Sequence, residues 1–199
     1  MVKENPIHKQ QIDPILMSER FPFYDLDGQL AACGAEIHTI IAGREEAVAR
    51  AYWDAFNKLP SVDRKVEGEL YESYVRGSAR HTTVKYADAA GQEVATIACQ
   101  NTHMARRVKL PLASVMSCIA ESQRLTIEYV VEACIGDAER LARLTSAINR
   151  LALLEFDIMQ RYAAKLDRAV FSSERQTLAG DFDRSIASLV QDTDGVREQ

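Results

Sequence analysis

Asn101-Thr102-His103-Met104-Ala105-Arg106-Arg107-Val108-Lys109-Leu110-Pro111 closes one helix and opens the next. Pro111 suits the first turn of a helix, where its missing N–H costs nothing. The basic run Arg106, Arg107 and Lys109 is read as a solvated helix end. His103, just before this corner, is the histidine whose setting looks functional.

Outward from this corner, the chain reads as amphipathic helix in both directions. With nine Gly, five Pro and no strand-like alternation, an all-α protein is expected. The first twenty residues, carrying Pro6 and Pro14, read as an extended or partly helical arm. Asp25 or Asp27 can cap a helix by accepting a backbone N–H, and that helix runs through Leu30, Cys33, Ile37 and Ile41 to Gly43. The next covers Arg44 to Leu59 until Pro60 stops it. A helix from about Val66 to Ala87 is weakly patterned, with Leu70, Tyr74 and Gly77 on its expected inner side. Another runs from Asp88 to Arg107. The helix started by Pro111 carries Leu112, Val115, Met116, Ile119, Ile127, Val130, Val131 and Cys134, and ends at Gly136.

The last helix of the domain begins near Asp137 and uses Leu141, Leu144, Ile148, Leu151, Leu154, Ile158, Met159, Tyr162 and Leu166. At about 1.5 Å per residue it is roughly 45 Å long, more than one small bundle needs, so part of it is expected to pack on another subunit. Phe182, Leu189 and Val196 recur every seven residues, with Ala179, Ile186 and Thr193 at the alternate seam position. That is a short coiled-coil pattern. The expected organisation is therefore an arm over 1–20, a helical domain over 21–168, and a linker with the start of a signalling helix over 169–199.

Composition narrows the function. A length of 199 residues suits one domain with appended arms and leaves no room for a second catalytic domain. A net charge of −5 argues against a nucleic-acid partner, because phosphate binding needs a concentrated basic surface. The apolar runs are too short for a membrane span, and no secretory signal is seen at the start. A cytoplasmic protein is expected. Cys33, Cys99, Cys118 and Cys134 lack zinc-ligand spacing and read as buried thiols in a reducing compartment. No phosphate loop, HExxH or GxSxG is present. With no acid, base and nucleophile that can be grouped, the chain is not expected to be an enzyme.

The order and spacing of several pieces resemble the sensor-globin family, the globin domains coupled to chemotaxis transducers, histidine kinases and diguanylate cyclases. They are Arg20-Phe21 with Phe23-Tyr24-Asp25-Leu26-Asp27, Ala51-Tyr52-Trp53 before Pro60, Arg107-Val108-Lys109-Leu110-Pro111, and the closing helix with Asp157 and Tyr162. Together they cover roughly Arg20 to Leu166. Beyond them, Glu174-Arg175-Gln176 and Asp181 to Val190 look like the start of the signalling helix of soluble chemotaxis receptors.

The resemblance implies a globin-like sensor that binds haem b and detects oxygen or another diatomic gas. His103 would ligate the iron, Tyr52 and Trp53 would face the bound gas, His81 is a lesser candidate for a sixth ligand, and Phe56 and Met116 would line the pocket. Haem iron needs an axial donor such as a neutral imidazole, and bound oxygen is held by a polar hydrogen. Trp53 either donates its indole N–H or fills the cavity. Three positions depart from the haem-binding pattern. Ala105 stands where the proximal His is usual, Lys109 where a Gly is usual, and Trp53 where the oxygen-binding Tyr is usual, with Tyr52 one place off.

The expected partners are a second copy, joined through helices 111–134 and 137–166, a small gaseous ligand, and chemotaxis signalling proteins downstream. The alternative is a haem-free globin-like sensor or dimerisation module that binds another small ligand or none. A different output, a diguanylate cyclase or histidine kinase, also stays open.

Overall fold

The computed structural model describes residues 13–62 and 65–197, with backbone only for 183 and 187–197. Among the described residues the chain is all-α, without a strand. Its helices are α1 (Met17–Arg20), α2 (Leu30–Ile41), α3 (Glu45–Phe56), α4 (Gly68–Ala87), α5 (Gln92–Arg107), α6 (Leu112–Ala133) and α7 (Ala138–Arg197), with a 3-10 turn at Phe21–Phe23 after α1. None is long and apolar enough to cross a membrane.

Residues 14–162 form one compact unit. Within it α3 packs on α6 and α4, α2 on α4 and α6, and α5 on α1, α4 and α6. The interior is aliphatic, with Leu30, Ile37, Ile41, Val75, Val130, Leu144, Ile148, Leu154 and Ile158 almost wholly excluded from solvent.

Local chemistry sets the helix ends. Both aspartates before α2 act: Asp25 Oδ1 accepts the Leu30 N–H at 2.7 Å and Asp27 Oδ1 accepts that of Gln29 at 3.1 Å. Asn57 ties the α3–α4 connection by accepting the Val66 N–H at 2.8 Å and donating to its carbonyl at 2.9 Å. Asp137 Oδ1 accepts the Arg140 N–H at 2.9 Å and so caps α7. At the corner between α5 and α6, the Leu110 N–H reaches back to the Ala105 carbonyl at 2.8 Å. This closes the helix through Lys109, whose φ of 57° is a left-handed conformation that favours glycine.

Within this unit residues 14–29 are tied to α5 and to the first part of α7. Met17 is buried, its N–H donates to Gln92 Oε1 at 2.9 Å, and Gln92 Nε2 donates to the Ile15 carbonyl at 2.9 Å. Arg20 Nε donates to Asp157 Oδ2 at 2.7 Å. Residues 1–12 lie outside the described residues.

Two findings differ from the sequence expectation. On α4, Leu70 and Tyr74 are exposed at 53% and 37%, and Gly77 is exposed too, whereas Val75, Lys85 and Tyr86 are buried. The inward row carries a lysine, so apolar periodicity points to the wrong face. The stretch expected as linker and start of the signalling helix is helical from its outset, because α7 runs through 60 residues as a single helix to Arg197.

Residues from 163 on belong to a second unit. There Lys165 Nζ donates to the Asp13 carbonyl at 2.9 Å, and Phe171, Leu178, Phe182 and Ile186 are exposed along the helix. Of the expected seam positions, the side chains of Leu189, Thr193 and Val196 lie outside the described residues.

Candidate functional site

The apolar row that α7 turns inward runs Leu144, Ile148, Leu151, Ile158 and Tyr162, at spacings of four and three residues with one gap. Glu155 fills that gap, and it is buried at 4% exposure. A lone carboxylate here would carry a large desolvation penalty. Lys85 of α4 meets it: Nζ lies 2.7 Å from Glu155 Oε2, and the lysine is itself buried at 8%. His81, one turn earlier on α4, places Nε2 3.6 Å from Glu155 Oε1. That is beyond a hydrogen bond, and the nitrogen is buried without a partner among the described residues.

The charge states follow from this geometry. Burial pushes the Glu155 carboxyl up, but the charge of Lys85, the charge His81 carries when protonated, and the Lys85 hydrogen bond together outweigh it, so the net direction is down. For Lys85 burial pulls down, but Glu155, by charge and hydrogen bond, and Tyr86 together outweigh it, so the net direction is up and the ammonium is kept. His81 is pushed below its ordinary value, first by burial and then by Lys85, with Glu155 opposing. At neutral pH the cluster is therefore an ion pair beside a neutral imidazole.

Neutral groups surround it. Burial, then Cys118 and Glu155, push the Tyr52 hydroxyl of α3 upward. The Cys118 thiol of α6 is pushed up by burial to about 11. Tyr86 of α4 is raised by burial despite Lys85 and a hydrogen bond with Thr126 of α6.

Of the residues singled out from the sequence, Tyr52, Trp53 and Phe56 form an aromatic group on α3. The Trp53 ring sits 5.2 Å from Tyr52 and from Phe56, edge-on to each, and stacks on Tyr74 of α4 at 4.7 Å. Its indole N–H donates to Ser78 Oγ at 2.9 Å, so the indole bridges α3 to α4. Tyr52 and His81 share Glu155 as a charged neighbour. Met116 is half-buried on α6.

His103 stands apart. The positions α5 buries are Val94, Ala95, Ala98, Cys99, Thr102 and Ala105. His103 lies about 100° round the helix from Thr102 and about 160° from Ala105, half-buried on the flank. Cys99 Sγ accepts the Ile15 N–H at 3.5 Å and faces the N-terminal segment.

The inward face of α5 offers no imidazole, the buried imidazole lies on α4 against a carboxylate, and the distal candidate Trp53 already spends its N–H on Ser78. Among the described residues, no group of three or more His, Cys, Asp or Glu is placed to hold a metal ion.

Glu155 and Lys85 were not singled out from the sequence. The signal was a carboxylate interrupting a four-three apolar row, with a lysine on an equally buried row of a partner helix. The chain matches no protein-family model, no curated protein and no solved structure.

Proposed function

We propose that the chain is the input module of a signalling protein, a globin-like helical unit that works without haem and passes its state to an output through α7. The observation that supports this reading is that Glu155, the buried carboxylate held by α4, lies on the same unbroken helix that continues to Arg197. Any change in how α4 holds Glu155 acts directly on that helix. Output is biased only as far as the two states of the core differ in free energy.

The homodimer through α6 and the first part of α7 belongs to the same proposal. Val131, Ile135 and Leu153, on these two helices and the turn between them, are apolar and exposed at 45%, 85% and 57%, surface that a second copy would cover. A chemotaxis transducer is the output that the resemblance favours.

The absorption spectrum of the full chain, purified from cells supplied with a haem precursor, tests the haem-free reading. No Soret band is expected. A stoichiometric Soret band, above all one lost in His103→Ala, would overturn it. Light scattering should give a dimer mass, and a monomer at all concentrations would remove the dimer from the proposal.

A further inference from the structure

Two buried side-chain nitrogens lack a hydrogen-bond partner among the described residues, Arg150 Nε and His81 Nε2. Arg150 still donates through Nη1 to Asp27 Oδ1 at 2.9 Å and to the Tyr24 carbonyl at 3.3 Å, so its charge is served. His81 is placed differently: its buried Nε2 faces Glu155 Oε1 across 3.6 Å, and Lys85 holds the other oxygen at 2.7 Å.

This arrangement has two states separated by one proton. With a neutral imidazole, Lys85 and Glu155 balance and the interior carries no net charge. With an imidazolium, two cations compete for one carboxylate and the interior carries a net +1. A charged N–H donor and a carboxylate close to about 2.7–2.9 Å, so the present gap must shorten for the new bond to form.

We propose that His81 is a proton-operated switch, in which protonation of its imidazole draws Glu155 Oε1 across the gap, loosens the hold of Lys85 and shifts α7 against α4. The inference names the stimulus of the haem-free module and rests on that reading. The step is a simple proton uptake from solvent, with no bond broken and no co-reactant.

The surroundings favour this assignment. The charges acting on His81 are Glu155 from α7 and Lys85 from α4. The other ionisable groups at the cluster are Tyr52 from α3, Tyr86 from α4 and Cys118 from α6, all held neutral by burial. Helices α2 and α5 also pack on α4 and bring no charge acting on His81 among the described residues.

Burial sets the switch on the acid side of the usual histidine value of 6.5. Below 6.5 an opened state binds the proton more readily than the closed one, so the closed state weakens as pH falls. Above 6.5 both states are neutral at this site and the closed state is fully favoured.

The chain carries its own reporter. Trp53 is its one tryptophan, and its indole is bonded to Ser78, three residues before His81 on α4. The experiment titrates the full chain from about pH 8 to about pH 5, following Trp53 emission and the assigned imidazole resonances by NMR. The expected result is a change in emission whose midpoint lies below 6.5 and coincides with the titration of His81. In His81→Gln the emission should stay flat over the range. Comparing the two midpoints in the wild type needs no variant, so the test survives a variant that fails to fold. Three results would overturn the switch: a His81 midpoint at or above 6.5, emission that stays flat while His81 titrates, or an unchanged transition in His81→Gln. The absorption spectrum at neutral pH judges the haem-free reading independently, so the two fail separately.

Discussion

Replacing Lys85 with Met keeps the side chain's length and bulk but strips the ammonium from Glu155. The two side chains are only 10% and 5% exposed, so water cannot take over the lost contact. Removing one partner of a buried ion pair costs about 3–5 kcal/mol, whereas replacing both by apolar groups is often neutral or stabilising. Lys85→Met should therefore lower stability by about that amount, and the double variant with Glu155→Leu should recover most of it. In the double variant, Leu at position 155 completes the apolar row between Leu151 and Ile158. At about 2–4 °C per kcal/mol for a chain of this size, the single variant should melt roughly 6–20 °C lower.

Urea and thermal unfolding of the full chain, followed by circular dichroism and Trp53 emission, measure both variants. The pH profile adds a second check. The lowered Glu155 carboxyl contributes stability that is complete above 4.5 and lost as pH falls through its folded value, while the raised Lys85 ammonium contributes stability complete below 10.5 and lost as pH rises through its own. A Lys85→Met protein within about 1 kcal/mol of wild type would refute the reasoning, because Glu155 would then have found solvent or another partner.

Three further outcomes follow from local geometry. Lys109→Gly relieves the left-handed backbone that closes α5 and should raise stability by roughly 1 kcal/mol, read as a higher melting temperature; no gain would show that Lys109 is unstrained there. Gly34→Val should cost about 1–3 kcal/mol in urea unfolding, since even a Cβ at Gly34 would sit 3.1 Å from the Tyr86 carbonyl and 3.2 Å from Ala89 Cβ, where α2 crosses α4. Cys118, buried with its thiol pushed up to about 11, should resist alkylation in the native chain and react once urea unfolds it, as mass spectrometry would read.

Much of the helix layout was legible because its signals are local. Asp25 and Asp27 cap α2, Asp137 caps α7, Gly43 and Gly136 follow helix ends with positive φ, and Pro111 immediately precedes α6. The length of α7 was not legible, because the expected join after Leu166 has neither Gly nor Pro to mark it or to rule it out until Gly180, which the helix accommodates. The site was read only in part. Tyr52, Trp53 and His81 were singled out through the family resemblance, for a haem pocket rather than for a buried charge cluster, whereas Lys85 and Glu155 look like ordinary surface charges until their helices meet.

Sequence alone determined that this chain makes helices, where most of them start, and that aliphatic rows on them must be buried. Those properties depend on neighbours within a few residues. Only tertiary structure decided that His103 lies on the flank of α5 and that a charge pair occupies the interior. The reason is physical: whether a charge is tolerated inside depends on the group that meets it, and Lys85 and Glu155 are seventy residues apart along the chain but 2.7 Å apart in the fold.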